Sequence, residues 1–394
     1  MQNWILYDED EQLINKIAAE LKINPLTAAI LTHRGISTAE DAKKFLYAET
    51  AQEFYDPFSM KGMPDAVDRI ERAIKNREKL VVYGDYDVDG MTASTIMLKT
   101  LRRLGADVDS YIPSRQNEGY GFNIPALEFL AENYNLLISV DCGITNNAEI
   151  DAVAGQIDII VTDHHLPIDP LEHVIAAIDP HQDDCPYPDK NLCGAGVAFK
   201  LCQALSARIN NVDYREYVED IELAALGTVA DLVPLIGENR KLVRLGLKRM
   251  PETSIVGLRE LINVAGLEGK QITAGHCGYN IAPRLNAVGR LGSAAIGVEL
   301  LTTSDPIKAR QIALQLDREN TRRKQLEDDM LRSADETFQR KRAARGGGFS
   351  SIVIAKDGWH TGVIGLTASK LVEKYNLPTI VIAIMGNLAV GSCR

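Results

Sequence analysis

Three acidic clusters in this chain of 394 residues each follow a short apolar run, and this repeated placement constrains the fold more than any other feature. The runs and their clusters cover residues 80–90, 136–143 and 157–165. Short β-branched runs bounded by turn residues are typical of buried strands in a parallel sheet. Open α/β sheets bind their ligands beyond the carboxyl ends of such strands. The clusters therefore predict a functional site at one edge of a parallel sheet.

Strand and helix patterns alternate from residue 79 onwards. The predicted strands cover residues 80–83, 107–112, 136–140, 157–162 and 174–178, and the predicted helices between them cover 92–99, 125–133 and 146–153. Repeated βαβ units of this kind predict an α/β fold with a doubly wound parallel sheet.

A long helical pattern over 305–345 ends at three glycines and predicts a helix that connects two domains. Strand patterns at 351–355 and 379–384, around a helix at 362–374, predict that a second α/β domain begins there and stays incomplete. The length exceeds that of one ordinary core. We expect four segments: a helical N-terminal region (1–75), the sheet domain (76–304), the connecting helix (305–345) and the incomplete domain (346–394).

Composition narrows the classes of protein to which the chain can belong. Residues are 45% hydrophobic and 25% charged, without a run that could span a membrane or a signal peptide at the start, so we expect a cytoplasmic protein. The six cysteines form no CxxC pair, which disfavours a zinc ribbon and a disulfide framework. A net charge of −11 argues only weakly against a nucleic-acid partner, because metal-ligating carboxylates inflate the negative count.

The first cluster places Asp85, Asp87 and Asp89 at alternating positions before Gly90. In an extended segment these three carboxylates would point the same way, and Gly90 would let the chain turn into the next helix. An acidic surface turn or a calcium loop is the alternative. A calcium loop of the EF-hand type lies between two helices, however, whereas this segment lies between a strand and a helix.

The other clusters add further candidate metal ligands. His164 and His165 follow Asp163 at the end of a predicted strand, and Asp141 follows the end of another. Mixed carboxylate and imidazole donors suit Mn²⁺ or Mg²⁺ better than zinc. Asp231 is a single carboxylate in an apolar run, where a helix-end cap is the alternative.

Several segments together resemble the DHH phosphoesterase superfamily, and within it the bacterial single-strand-specific 5′→3′ DNA exonucleases. They follow one another in the family's order across about 80–394 and comprise residues 83–90, 111–115, 118–121, 139–143, 163–165, 227–231 and 281–291. The resemblance implies a site for two divalent cations, Mn²⁺ or Mg²⁺. Asp87 and Asp141 would hold one ion, and the second would be held by Asp89, Asp141, His164 and Asp231, with Asp141 as the bridge.

The resemblance also implies roles near the scissile bond. Tyr83 stands where close relatives often place a ligating histidine, so Asp85 would support the first ion. His165 would contact the scissile phosphate or assist the leaving group, with a purely supporting role beside the metal site as the alternative. Tyr120 and Phe122 would either stack on bases or pack in the core.

The resemblance also implies two groups of phosphate ligands. For each arginine among them, the alternative is a charge pair on the protein surface. The pocket for the terminal 5′-phosphate would be formed by Arg115, Ser392 and Arg394. The backbone near the scissile bond would be held by Arg284, Asn286 and Arg290.

The function implied is metal-dependent hydrolysis of single-stranded DNA from its 5′ end to 5′-mononucleotides, in DNA repair and recombination. The implied partners are single-stranded DNA, a helicase and a single-strand-binding protein. No association with a membrane is implied. One alternative is a phosphodiesterase acting on short oligonucleotides or cyclic dinucleotides, which the long segments 111–122 and 195–290 disfavour. The other is a nucleic-acid-binding module without activity. Relatives normally continue past this terminus, so we expect a truncated chain.

Overall fold

The computed structural model describes residues 10–51, 53–114 and 118–394. Its strands are β1 (Lys79–Gly84), β2 (Asp107–Tyr111), β3 (Leu136–Val140), β4 (Asp158–Thr162), β5 (Ala176–Ile178), β6 (Ile352–Asp357), β7 (Thr379–Met385) and β8 (Leu388–Cys393). The first five form a parallel sheet in the order β2-β1-β3-β4-β5, and the last three form a second sheet in the order β6-β7-β8. The predicted doubly wound parallel sheet is confirmed.

Helices account for most of the remaining described chain. They are α1 (Glu11–Leu21), α2 (Pro25–His33), α3 (Ala39–Leu46), α4 (Ala48–Ala51), α5 (Met63–Asn76), α6 (Val88–Arg103), α7 (Ile124–Asn133), α8 (Asn147–Ala152), α9 (Gly194–Asn210), α10 (Ile221–Ala230), α11 (Gly237–Arg249), α12 (Val256–Val264), α13 (Ala274–His276), α14 (Ala282–Leu291), α15 (Ala295–Thr302), α16 (Pro306–Arg345) and α17 (Ile364–Tyr375). Short 3₁₀ segments cover Pro57–Ser59 and Met250–Glu252, and a π-helical turn covers Cys277–Ile281. None of the helices within the described ranges combines the length and apolar character needed to cross a membrane.

The first sheet is buried on both faces because successive side chains of its strands enter different cores. Leu80 and Val82 of β1 belong to the largest core, whereas Val81 and Tyr83 belong to a smaller core on the opposite face. This alternation has the period of two that a strand imposes. It explains why the central strands β1, β3 and β4 read as nearly continuous apolar runs.

The register of the sheet aligns the ends of its strands. Gly84 pairs with Val140, Val140 pairs with Thr162, and Thr162 pairs with Ile178. The residues that follow these four positions are all aspartates: Asp85, Asp141, Asp163 and Asp179. Parallel pairing therefore brings four carboxylates to one edge.

One detail of the first cluster differs from the prediction. Helix α6 begins at Val88, so Asp89 lies in its first turn and the cluster is not extended throughout. Asp87 caps this helix by accepting a hydrogen bond from Gly90 N at 3.1 Å. The helix begins earlier than predicted because the aspartate before it supplies the capping acceptor.

Helix α16 ends at Gly346, which adopts the left-handed conformation with φ 70°. Beyond it, the second sheet packs one face against α16 and α17 in a separate core. Strand β8 pairs antiparallel with β7 and was not predicted, because its residues Leu388–Cys393 are mostly exposed and show no strong apolar pattern. The predicted domain limits stay predictions, and residues 1–9 of the N-terminal segment lie outside the described residues.

Candidate metal centre

Carboxylate and imidazole groups converge beyond the carboxyl ends of β1, β3 and β4. They form three overlapping groups whose ligand atoms lie within 4.8 Å of one another: Asp85, Asp87 and Asp141; Asp89, His164 and Asp231; and Asp141, His164 and His165. The side chains of the first cluster, of Asp141 and of the two histidines thus meet as the sequence predicts. Asp231 joins them from the C-terminal end of α10.

His164 lies at the centre of the cluster. Its Nε2 atom is 3.1 Å from Asp141 Oδ1 and 3.8 Å from carboxylate oxygens of both Asp89 and Asp231. Asp141 Oδ1 and His164 Nε2 are both buried, and neither has a hydrogen-bond partner among the described residues. Buried polar atoms normally have partners, so these two fit a cation between them.

Asp89 is held by a second helix. Its Oδ2 accepts a hydrogen bond from Gly194 N at 2.7 Å and its Oδ1 accepts one from Ala195 N at 2.9 Å. These amides form the N-terminus of α9, whose positive end favours a carboxylate. A Cβ atom at Gly194 would lie 2.5 Å from Asp141 Cβ, so this approach requires glycine.

Asp141 occupies an unusual backbone conformation. Its φ is 62°, in the left-handed region that few non-glycine residues adopt. Its N–H donates to the Thr162 carbonyl at 3.0 Å, and the Thr162 hydroxyl donates to the Ser139 carbonyl at 2.7 Å. The neighbouring strand therefore fixes the turn that aims this carboxylate into the cluster.

Asp163 positions both histidines and is a residue to which the sequence assigned no role of its own. Its Oδ1 accepts hydrogen bonds from His164 N at 2.7 Å and His165 N at 3.2 Å, and it lies 2.7 Å from His165 Nδ1. Its Oδ2 accepts one from Ile144 N at 3.0 Å. Burial alone would raise the pKa of Asp163, but the hydrogen bonds from His165 and from the backbone outweigh burial and lower it.

Burial and repulsion between carboxylates raise the pKa of Asp87, Asp141 and Asp231. Burial, then repulsion from Asp89, raises the pKa of Asp141 well above its ordinary value and also that of Asp87. The same causes raise the pKa of Asp231 to about 7. Burial lowers the pKa of His164, which favours the neutral imidazole that can bind a metal. This electrostatic arrangement favours bound cations over a bare cluster of charges.

His165 has a different environment from His164. Its hydrogen bond with Asp163 raises its pKa to about 9 although burial opposes the shift, and its ring lies at the rim of the cluster. Tyr120 OH lies 3.1 Å from His165 Nδ1. Phe122, by contrast, is buried in the smaller core and cannot stack on a ligand.

Tyr83 does not take part in the cluster. Its hydroxyl donates to the Gly121 carbonyl at 2.9 Å, and its buried ring stacks on Tyr111 with 5.3 Å between centroids. The side chain points into the smaller core, on the face of the sheet opposite to the largest core. Asp85, which lies closer to Asp87 and Asp141, fits the expected supporting role better.

Asp179 is a buried group that the sequence reasoning missed. It follows β5 at the position that the other aspartates occupy after their strands, and it accepts a hydrogen bond from His181 N at 2.7 Å. Burial raises its pKa to about 8. The signal was available in the apolar run 174–178, which ends directly before Asp179.

The predicted phosphate ligands separate into those that reach the cluster and those that do not. Asn286 and Arg290 line the metal cavity of about 350 Å³. Arg290 also lines a neighbouring cavity of about 370 Å³ together with Ser392 and Arg394. Arg115 lies outside the described residues.

Arg284 does not line either cavity. Its guanidinium forms an ion pair with Asp317 of α16 at 2.8 Å and donates to the Asn280 carbonyl at 2.6 Å. Arg284 is therefore engaged with the π-helical turn before its own helix and, as a charge pair, with α16.

Comparisons with known proteins identify the family of this chain. The model of the DHH family, N-terminal domain, matches residues 79–229. The single-stranded-DNA-specific exonuclease RecJ of Bacillus subtilis (strain 168) is 42% identical over 99% of this chain and 49% of its own length. The chain thus spans about half the length of this curated relative.

Two solved structures are also similar. The crystal structure of RecJ in complex with Mn²⁺ from Thermus thermophilus has a TM-score of 0.80 at 34% identity, over 94% of this chain and 52% of that chain. A crystal structure of exonuclease RecJ bound to manganese has a TM-score of 0.73 at 37% identity, over 82% of this chain and 80% of that chain. The family resemblance inferred from the motifs is confirmed. The chain belongs to the RecJ exonucleases of the DHH family.

Proposed function

We propose that this protein is a metal-dependent, single-strand-specific 5′→3′ DNA exonuclease that hydrolyses phosphodiester bonds to 5′-mononucleotides in DNA repair and recombination. One observation carries the proposal: Asp141 Oδ1 and His164 Nε2 are buried, 3.1 Å apart and unsatisfied within a cluster of carboxylates. Membership of the RecJ family supports it, because the relative from Bacillus subtilis is named a single-stranded-DNA-specific exonuclease.

The proposed ligands divide between two divalent cations, Mn²⁺ or Mg²⁺. Asp87 and Asp141 would hold one, with Asp85 beside them, and the other would be held by Asp89, Asp141, His164 and Asp231. The Thermus thermophilus RecJ structure described above contains Mn²⁺, and another crystal structure of RecJ from the same organism contains Mg²⁺, which supports this choice of ions. When bound, such ions lower the pKa of a water molecule and offset charge that develops on a phosphate.

His165 would supply a proton to the reaction. Because its pKa is raised to about 9, the imidazole carries protons on both nitrogens near neutral pH. Nδ1–H donates to Asp163, so Nε2–H is the proton available to a phosphate oxygen or to the departing O3′. Hydrolysis would break the bond between phosphorus and O3′, release a 5′-mononucleotide and leave a new 5′-phosphate on the strand.

The neighbouring cavity would hold the terminal 5′-phosphate. Arg290, Ser392 and Arg394 line it, and Gly365 in the first turn of α17 lies beside Ser392 and Arg394. Two guanidinium groups and the positive end of a helix suit a phosphate. Because Arg290 lines both cavities, a 5′ end held here would place the next phosphate near the metal centre. Arg115 remains a further proposed ligand of the terminal phosphate, whereas Asn286 and Arg290 would hold the backbone near the scissile bond.

The proposed partners are single-stranded DNA with a 5′ end, a helicase and a single-strand-binding protein. A cytoplasmic location is part of the proposal. The cysteines support it, because all six are free thiols and five of them are buried, as expected in a reducing compartment.

Digestion of a long single-stranded DNA labelled at either end tests the proposed function. With Mn²⁺, the 5′ label should be released as a mononucleotide at once and the 3′ label only at the end, and a chelator should stop both. Asp141→Ala should abolish hydrolysis, whereas Asp329→Ala, on an exposed face of α16, should not. Cleavage of dinucleotides alone would indicate the short-substrate phosphodiesterase, and binding without cleavage would indicate the inactive module.

A further inference from the structure

An apolar groove opens directly beside the metal cavity. It has a volume of about 570 Å³ and is lined mainly by apolar residues between the end of α10 and the start of α14, among them Leu232, Val233 and Tyr279. Ala230 and Asn286 line both the groove and the metal cavity. The two spaces therefore adjoin at these two residues.

Two large apolar side chains of this groove are presented to solvent. Leu232, directly after the candidate ligand Asp231, is 86% exposed, and Tyr279 is 84% exposed. A single exposed apolar residue needs no explanation, but two beside the reacting centre form a patch that suits a ligand with an apolar face.

Both of these side chains belong to residues with an unusual backbone conformation. Leu232 has a φ of 62°, in the left-handed region that a bulky residue rarely adopts. Tyr279 lies in the π-helical turn Cys277–Ile281, a rare form that occurs frequently at functional sites. Arg284, anchored by Asp317, holds this turn by donating to the Asn280 carbonyl. Strain of this kind persists where a function uses it.

The three cavities adjoin one another through shared lining residues. Arg290 joins the cavity of Arg394 to the metal cavity, and Asn286 joins the metal cavity to the groove. A strand whose 5′-phosphate lies near Arg394 and whose next phosphate lies at the metal centre would continue over the groove. The part of a nucleotide that suits an apolar groove is its base, and every base offers a face for stacking irrespective of sequence.

We infer that Leu232 and Tyr279 bind the nucleobase immediately 3′ of the scissile phosphate, through stacking and apolar contact. The inference rests on the proposed function and names the way in which the substrate is recognised. It also accounts for selection of single strands, because a base within a duplex is stacked on both faces and cannot enter such a groove.

The inference is tested by a thermodynamic cycle in which the Tyr279 side chain and the substrate base are removed singly and together, and KM is compared. The substrates are two 5′-phosphorylated oligonucleotides, one of which lacks the base at its second nucleotide. For the wild type, removal of this base should raise KM about tenfold, since base–aromatic stacking has an effect of this size. Tyr279→Ala should raise KM about tenfold for the intact oligonucleotide and add nothing for the abasic one, with a smaller change in kcat. Tyr279→Phe should retain the wild-type KM.

The matched control is Tyr47→Ala, an exposed tyrosine of the N-terminal region, which should leave both KM values unchanged. Equal effects of Tyr279→Ala on the two oligonucleotides, or no effect on either, would overturn the inference. Equilibrium binding of the same oligonucleotides, followed by fluorescence anisotropy with Mn²⁺, distinguishes the two proposals. If the wild type binds the intact oligonucleotide more tightly than the abasic one and Tyr279→Ala does not, the inference about the groove holds even when the wild type hydrolyses neither. Failure of the exonuclease proposal would show only as an absence of cleavage.

Discussion

At the scale of single residues, Asp163 organises the site without lining the metal cavity. One of its oxygens accepts hydrogen bonds from the backbone of His164 and His165 and holds the His165 ring as well. The two adjacent histidines consequently take different roles. His164 faces the carboxylate cluster, whereas the raised pKa of His165 favours its protonated form. Sequence spacing shows that three such residues are adjacent, but not which of them accepts hydrogen bonds from the others.

The Asp163–His165 pair should make stability depend on pH in a defined window. The pKa of His165 rises from 6.5 to about 9 on folding, so its bound proton stabilises the fold fully below pH 6.5, and this stabilisation disappears as pH rises through about 9. In metal-free protein, His165→Gln should lower the midpoint of urea unfolding at pH 6 and have little effect near pH 10. His173→Gln, at an exposed histidine, is the control and should change neither midpoint. An effect of His165→Gln that is constant with pH would contradict the role of this pair.

Asp141→Asn separates metal binding from folding. Burial and the neighbouring carboxylates raise the pKa of Asp141, so its ionisation costs stability as pH rises above the unfolded value near 4. Asparagine tolerates the positive φ and carries no charge. In scanning calorimetry at pH 8, the metal-free variant should therefore melt above the metal-free wild type.

Manganese should reverse this order. Saturating Mn²⁺ should raise the melting temperature of the wild type by a few degrees, because it binds only the folded state, and should leave Asp141→Asn nearly unchanged. Asp329→Asn should behave as the wild type. An equal response of Asp141→Asn to Mn²⁺ would exclude Asp141 as the bridging ligand.

At the scale of elements, the site depends on how closely α9 approaches the end of the sheet. The N-terminus of α9 donates two amide hydrogen bonds to Asp89 of α6 while Gly194 lies against Asp141 of the β3 end. Three elements that are distant in the chain thus meet around two carboxylates. The absence of a side chain at one position permits this contact.

Gly194→Ala should displace the carboxylates that this contact aligns. Its Cβ atom would lie 2.5 Å from Asp141 Cβ, which forces the helix and the ligand apart. Because displacement by about 1 Å can cost about 100-fold in rate, we expect a loss of at least that size in kcat/KM for single-stranded DNA. Gly196→Ala in the same helix is the matched control, since its Cβ atom would meet only the Leu192 side chain at 3.3 Å. Similar kinetics for both variants would show that the close approach is not required.

At the scale of the whole molecule, the cavity proposed for the terminal 5′-phosphate is lined by residues of both α/β units. Arg290 comes from α14 of the first unit, and Ser392 and Arg394 come from the end of the second sheet. The Arg290 side chain donates to the Gly362 carbonyl at 3.2 Å, and a Cβ atom at Gly362 would lie 2.4 Å from the Arg290 carbonyl oxygen. The units therefore meet at the position where the two cavities join.

Arg394→Ala should reduce the preference for 5′-phosphorylated over 5′-hydroxyl ends and should leave the metal-dependent hydrolysis step itself unchanged. Loss of one charge-assisted contact to a phosphate should lower the preference for a 5′-phosphorylated over a 5′-hydroxyl end about tenfold. The measurement is kcat/KM on the two oligonucleotides, with Arg332→Ala on the exposed face of α16 as control. If kcat/KM falls equally for both oligonucleotides, the cavity does not bind the terminal phosphate.

The sequence by itself determined the parallel sheet, the long helix α16 and the edge of the sheet at which the site lies. Residues 136–140 were predicted as a strand with the limits that β3 has, because a short apolar run bounded by turn residues is a local signal. The candidate ligands follow from the same signals, since a carboxylate after a buried strand must lie at its carboxyl end.

Only the tertiary structure decided which of these groups meet and what each contacts. The amides that hold Asp89 belong to residues more than 100 positions later in the chain, and Arg284 turns to Asp317 rather than to the metal cavity. The groove likewise brings together Leu232 and Tyr279, which are 47 positions apart in the chain. Contacts of this kind depend on how whole elements pack, and local residue patterns do not specify that packing.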